Sequence, residues 1–141
     1  MLPEPPGSGK PHMKFHLARA EGRNAFTGYG DDYVEISGAR FAQSVIVLAD
    51  RIIDWPIARF EDLTETQFAE MAKLEVDVIV LGTGSRLCFP HPSKTAPLSR
   101  AGIGLEVMDT RAACRTYNVL LAEDRRVGAA LLMGTAGSEP V

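Results

Sequence analysis

The order of apolar runs in the second half of this sequence constrains its fold more than any other feature. Residues 76–81 form a nearly unbroken, β-branched run, which is typical of a strand covered on both faces in a parallel or mixed sheet. Residues 105–108 and 127–133 are two further predicted strands, and a helical pattern separates each run from the next. Because alternating strands and helices require crossover connections, the sequence predicts an α/β unit with 76–81 as its central strand.

Two helices are predicted from the residues that precede them. Thr64 and Gln67 have the spacing of a capping box, in which two side chains bond to backbone amides of the first turn. The predicted helix runs over 65–74. Ser93 is predicted to cap a second helix that continues to Arg100.

A third helix is predicted to begin at Thr110. Asp109 and Thr110 are both residue types that cap helices, and an apolar stripe follows them. The stripe has the spacing i, i+4, i+7 and i+8 and consists of Ala113, Tyr117, Leu120 and Leu121. This pattern is typical of a helix with one buried face.

The first half of the chain is predicted to form antiparallel strands or hairpins. Tyr33 to Ile36 alternates weakly and Ser44 to Ala49 is a continuous apolar run, with Ser37-Gly38 as a turn between them. A further short run at 52–53 ends near Trp55-Pro56, because proline cannot donate to a strand ladder. Trp55 is interpreted as a packing residue.

The two ends of the chain differ in composition from its body. Residues 1–13 are rich in proline and glycine, and such a segment cannot bury enough apolar surface to offset its ordering entropy. Residues 134–141 have the same character. With 141 residues in all, the sequence predicts one folded domain over 14–133 between two disordered tails.

Charge and hydropathy exclude several classes of protein. The net charge is −3 and the isoelectric point is near 5.6, so nucleic acid is not an expected partner. The longest apolar runs, 45–49 and 78–81, are far shorter than the roughly 20 residues that span a bilayer. The opening residues lack a basic start followed by an apolar stretch, so we expect a cytoplasmic protein. Cys88 and Cys114 are expected to be reduced thiols that pack as small hydrophobes.

The candidate site follows from the strand order. If strands 76–81 and 105–108 are parallel, Gly82-Thr83-Gly84 and Asp109-Thr110-Arg111 lie at the same sheet edge, where α/β proteins bind ligands. Backbone amides of a glycine loop and a helix N-terminus converge there, in a geometry that suits an anion. The alternative is a purely structural tight turn. A dinucleotide site is not predicted, because Leu87 stands where the third glycine of that motif is needed.

The charge around this edge is opposite in sign to that of the whole chain. Residues 82–116 carry a net charge of +3, with two acids and the basic residues Arg86, Lys94, Arg100, Arg111 and Arg115. Arg111 lies in the first turn of the third helix, where the helix dipole disfavours a cation. Two explanations stay open: an ion pair with Asp109 or Glu106, or a bound anion or acidic partner. His91 is either an exposed structural residue or a base, and no metal-ligand spacing accompanies it.

Four segments together resemble a known family. They are Phe26-Thr27-Gly28-Tyr29-Gly30, Gly82-Thr83-Gly84, Gly102-Ile103-Gly104 and the segment from Met108 to Asn118, which is the most specific. In this order they are similar to the mitochondrial respiratory complex I assembly factor 3 family, over about Asn24 to Met133. One departure is Glu123-Asp124-Arg125, where the family tends to have Glu-Gly-Arg.

The resemblance implies a three-layer α/β domain with a central mixed sheet of about five strands, which agrees with the antiparallel N-terminal part and about three helices predicted from the residues. It also implies a non-enzymatic interaction or assembly protein with a protein partner. No cofactor and no metal are predicted. The alternative is an anion-binding or small-molecule-binding protein, or an unrecognised enzyme. A homodimer is compatible with either. The candidate binding residues are Gly82, Thr83, Gly84, Arg86, His91, Asp109, Thr110, Arg111 and Arg115.

Overall fold

The computed structural model describes residues 22–133. The predicted tails and residues 14–21 of the predicted domain lie outside the described residues. The strands are β1 (Phe26–Tyr29), β2 (Val34–Ile36), β3 (Ala39–Phe41), β4 (Val45–Leu48), β5 (Arg51–Asp54), β6 (Val78–Gly82), β7 (Gly104–Met108) and β8 (Val127–Leu131). The helices are α1 (Glu65–Met71), α2 (Pro92–Arg100) and α3 (Thr110–Ala122), and a short 3-10 helix spans Phe60–Asp62.

The five later strands form one mixed sheet in the order β5-β4-β8-β6-β7. Strand β6 lies between β8 and β7 and is parallel to both, with Val80 opposite Ala129 on one side and Glu106 on the other. Strand β4 is antiparallel to β8 and to β5. The predicted α/β fold, its mixed sheet of about five strands and its parallel pairing of 76–81 with 105–108 are confirmed.

Side chains on alternate positions of the sheet pack into two different cores. One core combines β1, β2 and α3 with the sheet residues Val45, Val47, Val78, Val80, Ala129 and Leu131. The other combines Trp55, Phe68, Met71 and Leu98 with the sheet residues Ile46, Leu48, Ile79, Leu81 and Ala130. Since α3 covers one face and α1 with α2 the other, the predicted three layers are confirmed, and Trp55 packs as predicted.

The first three strands form a separate antiparallel sheet in the order β1-β2-β3. Asn118 of α3 holds this small sheet in place: its Oδ1 accepts a hydrogen bond from the Phe26 amide at 2.9 Å, and its Nδ2 donates to the Phe26 carbonyl at 2.8 Å. The Tyr117 hydroxyl donates to the Asn24 carbonyl at 2.9 Å, and the Tyr117 ring meets Phe26 edge-on at 5.2 Å between centroids. Burial raises the pKa of Tyr117, so this hydroxyl keeps its proton.

Two strands of the small sheet were not predicted. Strand β1 contains Gly28, which weakens a strand signal, and its register is irregular between Phe26 and Gly28. Strand β3 has only three residues, none of them buried. Ser37-Gly38 therefore turns the chain from β2 into β3 and not into β4, with positive φ angles of 49° and 91°. Both φ values suit a two-residue hairpin turn.

Two helix boundaries also differ from the prediction. The capping box of Thr64 and Gln67 is present, but α1 ends at Met71. The Lys73 and Leu74 amides bond three residues back, to the Glu70 and Met71 carbonyls, which tightens the last turn. Helix α2 starts at Pro92, one residue before the predicted cap Ser93. The cap is His91, whose Nδ1 accepts a hydrogen bond from the Ser93 amide at 3.0 Å.

The turn after α3 explains the departure from the family pattern. Asp124 has a φ of 63°, which lies in the left-handed region that glycine adopts without strain. Aspartate is among the side chains that tolerate this conformation. The turn therefore keeps the backbone conformation that a glycine would favour.

Candidate functional site

The carboxyl ends of β6, β7 and β8 meet at one edge of the large sheet. The Thr83 amide donates to the Met108 carbonyl at 2.9 Å, and the Leu132 amide donates to the Gly82 carbonyl at 2.9 Å. Thr83 and Leu132 thus continue the strand pairing one residue beyond β6 and β8. Gly82-Thr83-Gly84 and Asp109-Thr110-Arg111 are therefore neighbours, as the sequence predicted.

The two glycines of the loop serve different purposes. Gly84 has a φ of 96°, which a β-carbon would disfavour. Gly82 is needed for space, because a β-carbon there would lie 3.0 Å from the Thr110 Cα and 3.1 Å from the Ala113 Cβ. The sequence predicted only the first of these reasons. Gly82 lets the start of α3 pack directly on β6.

The amides of Gly84, Thr110 and Ala112 at this edge are bonded to the protein itself. The Thr110 Oγ1 accepts a hydrogen bond from the Gly84 amide at 2.8 Å, and the Thr110 amide donates to the Gly84 carbonyl at 2.9 Å. The Asp109 carboxylate caps α3 by accepting from the Ala112 amide at 2.9 Å. The geometry thus matches the tight structural turn that the sequence left open as the alternative to an anion site.

Arg111 finds its ion-pair partner in the small sheet's connecting loop. Its Nη2 lies 2.5 Å from the Asp31 carboxylate, and its guanidinium stands 5.4 Å from the centre of the Tyr29 ring. The two partners suggested by the sequence, Asp109 and Glu106, are wrong. Asp31 is 80 residues away, and sequence proximity could not reveal it. Both charged side chains are largely exposed, so this pair adds at most about 1 kcal/mol to stability.

Arg115 lies one turn further along α3 and contacts the same tyrosine. Its Nη1 donates a hydrogen bond to the Tyr29 hydroxyl at 2.8 Å. Tyr29 thus contacts two arginines of α3: Arg111 lies over its ring, and Arg115 donates to its hydroxyl. The Phe26-Thr27-Gly28-Tyr29-Gly30 segment was part of the family resemblance, and this contact gives it a physical role.

A cleft of about 430 Å³ opens between the small sheet and the N-terminus of α3. Of the predicted site residues it brings together four: Gly84, Asp109, Thr110 and Arg111. Sequence reasoning missed Ser85, next to the glycine loop, and Leu132 and Met133, just after β8. It also missed five residues of the small sheet and its connecting loop: Tyr29, Gly30, Asp31, Tyr33 and Val34. The signal for these five would have been the pairing of β1 with β2, and β1 was not predicted.

The other predicted residues lie outside this cleft. Gly82 packs beneath it, and Arg115 bonds to the outer end of Tyr29. The Thr83 Oγ1 donates to the Arg86 carbonyl at 2.7 Å and accepts from the Cys88 amide at 3.2 Å. His91 caps α2 and is exposed, which is the structural alternative left open for it.

The cysteines and acidic side chains of residues 22–133 form no further candidate site. Cys88 and Cys114 are both free, as predicted; Cys114 is buried, which raises its pKa, whereas Cys88 is only half-buried. Within residues 22–133, no three His, Cys, Asp or Glu side chains are grouped so that they could hold a metal ion. In the same part of the chain, the helices are too short or too polar to cross a bilayer.

A family of proteins of unknown function, DUF498/DUF598, matches residues 26–132. The chain belongs to this family. The match begins at β1 and ends just after β8, so it covers the large sheet, the small sheet and the candidate site. The resemblance inferred from the sequence is confirmed by relatives with assembly-factor names.

One such relative is the mouse protein named NADH dehydrogenase (ubiquinone) 1 alpha subcomplex assembly factor 3. It is 34% identical over 99 residues, which cover 69% of this chain and 54% of the mouse protein. The chain therefore spans about half the length of this relative. An uncharacterised protein of Rhodobacter capsulatus is 34% identical over 105 residues, with 74% of this chain and 81% of that protein covered.

Solved bacterial structures have the same fold. A crystal structure of a Bordetella parapertussis protein is 39% identical with a TM-score of 0.76, covering 79% of this chain and 97% of that one. An NMR structure of a Xanthomonas campestris protein is 32% identical with a TM-score of 0.72, covering 86% of this chain and 93% of that one. The α/β fold described above is thus common to this chain and to experimentally determined structures.

Proposed function

We propose that this protein assists the assembly of a membrane-bound NADH dehydrogenase by binding one of its subunits. The observation that carries the proposal is the 34% identity to a protein named as an assembly factor of that enzyme. A protein named as an assembly factor is expected to act by contacting other proteins. The relatives give no support to the alternative of a small-molecule-binding protein.

The surface proposed for this contact is the edge around Arg111. The guanidinium and the Asp31 carboxylate are both exposed beside the cleft, and Tyr29 supports the guanidinium from below. An exposed ion pair next to partly apolar walls gives a partner both a charge to match and a surface to cover. The buried Thr110 and Gly82 fix the position of the helix that presents Arg111.

Deleting the gene in the source organism tests the proposed function. We expect fully assembled NADH dehydrogenase to decrease on native gels stained for NADH oxidation, and the wild-type chain to restore it. Arg111→Glu should fail to restore it, because it reverses the charge presented to the partner. Normal amounts of the assembled enzyme in the deletion strain would refute the assembly role.

Arg51→Glu is the matched control for that charge reversal. Arg51 is exposed to nearly the same extent as Arg111, at 50% against 52%, and it too is paired with an aspartate, Asp50. It lies on the edge strand β5, away from the candidate site. We expect Arg51→Glu to restore assembly; equal rescue by Arg111→Glu would remove the Arg111 edge from the proposal.

A further inference from the structure

The segment 85–91, here called the apolar loop, connects the glycine turn to α2 and presents large hydrophobic side chains to solvent. Leu87 is 48% exposed and Phe89 is 69% exposed. Within the described chain only Val119 is a comparably large and exposed hydrophobic residue, and it lies on α3. Leu87 and Phe89 are two residues apart in one short loop, and clustered exposed hydrophobic residues mark contact surfaces more often than isolated ones do.

Side-chain hydrogen bonds hold this loop at both ends. At its start, Thr83 bonds to the Arg86 carbonyl at 2.7 Å and to the Cys88 amide at 3.2 Å. At its end, His91 accepts from the Ser93 amide at 3.0 Å. The fold therefore fixes the backbone that displays Leu87 and Phe89, so a partner pays little of the entropy of ordering it.

In the sequence, the charged residues around the apolar loop all have one sign. Residues 78–105 contain no aspartate or glutamate, and Arg86 and Lys94 lie on either side of Phe89 in the sequence. Within residues 22–133 no carboxylate forms an ion pair with either of them, whereas Arg100 at the end of α2 is paired with Glu65 at 3.4 Å. In the sequence, two cations that have no ion-pair partner among the described residues thus flank Leu87 and Phe89.

We propose that the apolar loop docks into a protein partner, placing Leu87 and Phe89 in an apolar pocket rimmed by carboxylates. The proposal rests on the proposed function and adds the chemistry of the partner's surface. A second copy of the chain fits less well, since a symmetric contact would bring the same cations together. A bilayer also fits less well, because two cations in a chain of net charge −3 are fewer than the clusters that hold proteins on anionic lipid.

Site-specific photo-crosslinking tests the docking directly. The full chain, with Phe89 replaced by the photo-reactive amino acid p-benzoylphenylalanine, is expressed in the source organism and irradiated. We expect an adduct with another protein, and its cross-linked peptide should come from an apolar pocket bordered by Asp or Glu. The double variant Arg86→Glu, Lys94→Glu should lower the adduct yield by about five-fold. Both new carboxylates would repel the partner's carboxylates, which the original cations attract.

Val119 provides the matched control position. It is as exposed as Leu87 but lies on α3, so p-benzoylphenylalanine at 119 should not form the same adduct. Adducts with lipid, adducts with a second copy of the chain, a cross-linked surface without carboxylates, or no adduct at position 89 would each overturn the proposal.

The two proposals fail separately. If NADH dehydrogenase assembles normally without the gene while the charge-sensitive adduct at 89 persists, the assembly role is wrong and the docking loop stands. If assembly needs the gene while position 89 forms no such adduct, the docking loop is wrong and the assembly role stands.

Discussion

At the scale of single residues, Gly82 lies where neighbouring backbone and side chains leave no space for a β-carbon. Replacing it with alanine would place a β-carbon 2.9 Å from Leu131 and 3.0 Å from the backbone of Thr110. We expect Gly82→Ala to lower the free energy of unfolding by about 1–3 kcal/mol, since α3 or β8 must shift. Urea denaturation followed by circular dichroism measures this.

Gly104→Ala is the control for Gly82→Ala. Gly104 is also in the large sheet, but a β-carbon there would meet nothing closer than 3.8 Å. Its effect on the urea midpoint should be small. Equal destabilisation by both variants would contradict the packing explanation and leave only strand propensity.

Asn118 is the residue whose importance the sequence did not indicate. Asn118→Ala leaves the amide and carbonyl of Phe26 without their partner in a buried place, and we expect it to cost about 2–4 kcal/mol of stability. Tyr117→Phe removes a single hydrogen bond to Asn24 and should cost about 0.5–1.5 kcal/mol. Thermal or urea unfolding of both variants would show which substitution destabilises the protein more. A smaller loss of stability for Asn118→Ala than for Tyr117→Phe would contradict the role given to the two Asn118 hydrogen bonds.

At the scale of elements, an ion pair joins the starts of two neighbouring parallel strands. Arg126, just before β8, donates to the Asp77 carboxylate beside β6 at 2.8 Å and 3.3 Å. These hydrogen bonds, with the charge of Arg126, lower the pKa of Asp77 from its ordinary value.

A carboxyl whose pKa is lower in the folded state stabilises the fold above its unfolded pKa of about 3.9 and loses this effect as pH falls through the folded pKa. We therefore expect Asp77→Asn to reduce stability slightly at neutral pH and to make the acid-side decline shallower. Urea midpoints measured from neutral pH down to about pH 3 would show this. Parallel curves for wild type and Asp77→Asn would contradict it.

The elements also show how far the sequence could predict the fold. Continuous β-branched runs and helix caps have local physical causes, so β4, β6, α1 and α3 were predicted close to their observed positions. Strands β1 and β3 are short, glycine-containing or exposed, and they exist because α3 holds the small sheet through Asn118. The partner of Arg111 was missed for the same reason, since Asp31 reaches it only through that docking.

The candidate site was predicted only in its sequence-local part. Parallel strands and the rule that ligands bind at their carboxyl ends brought Gly84, Asp109, Thr110 and Arg111 together correctly. The opposite wall of the cleft comes from the small sheet and could not be predicted without β1. The internal bonding of the Gly84 and Thr110 amides also depends on distances that sequence spacing does not give.

At the scale of the whole molecule, two cores share one sheet, and the small sheet depends on one of them. Trp55, the single tryptophan, reports on the core beneath α1 and α2, whereas the Phe26 amide reports on the small sheet. Because both cores rest on the same five strands, we expect one cooperative transition. Tryptophan fluorescence and hydrogen exchange of the Phe26 amide should give the same free energy of unfolding.

Asn118→Ala should separate these two measures. Without its two bonds the small sheet can detach from α3 while the large sheet stays folded, so exchange of the Phe26 amide should accelerate by more than the tryptophan transition shifts. Arg111 would then lose its contact with Asp31 in the detached state, which links the stability of the small sheet to the proposed binding edge. Equal shifts of both measures would mean that the small sheet unfolds only together with the whole domain, and that Asn118 acts on global stability alone.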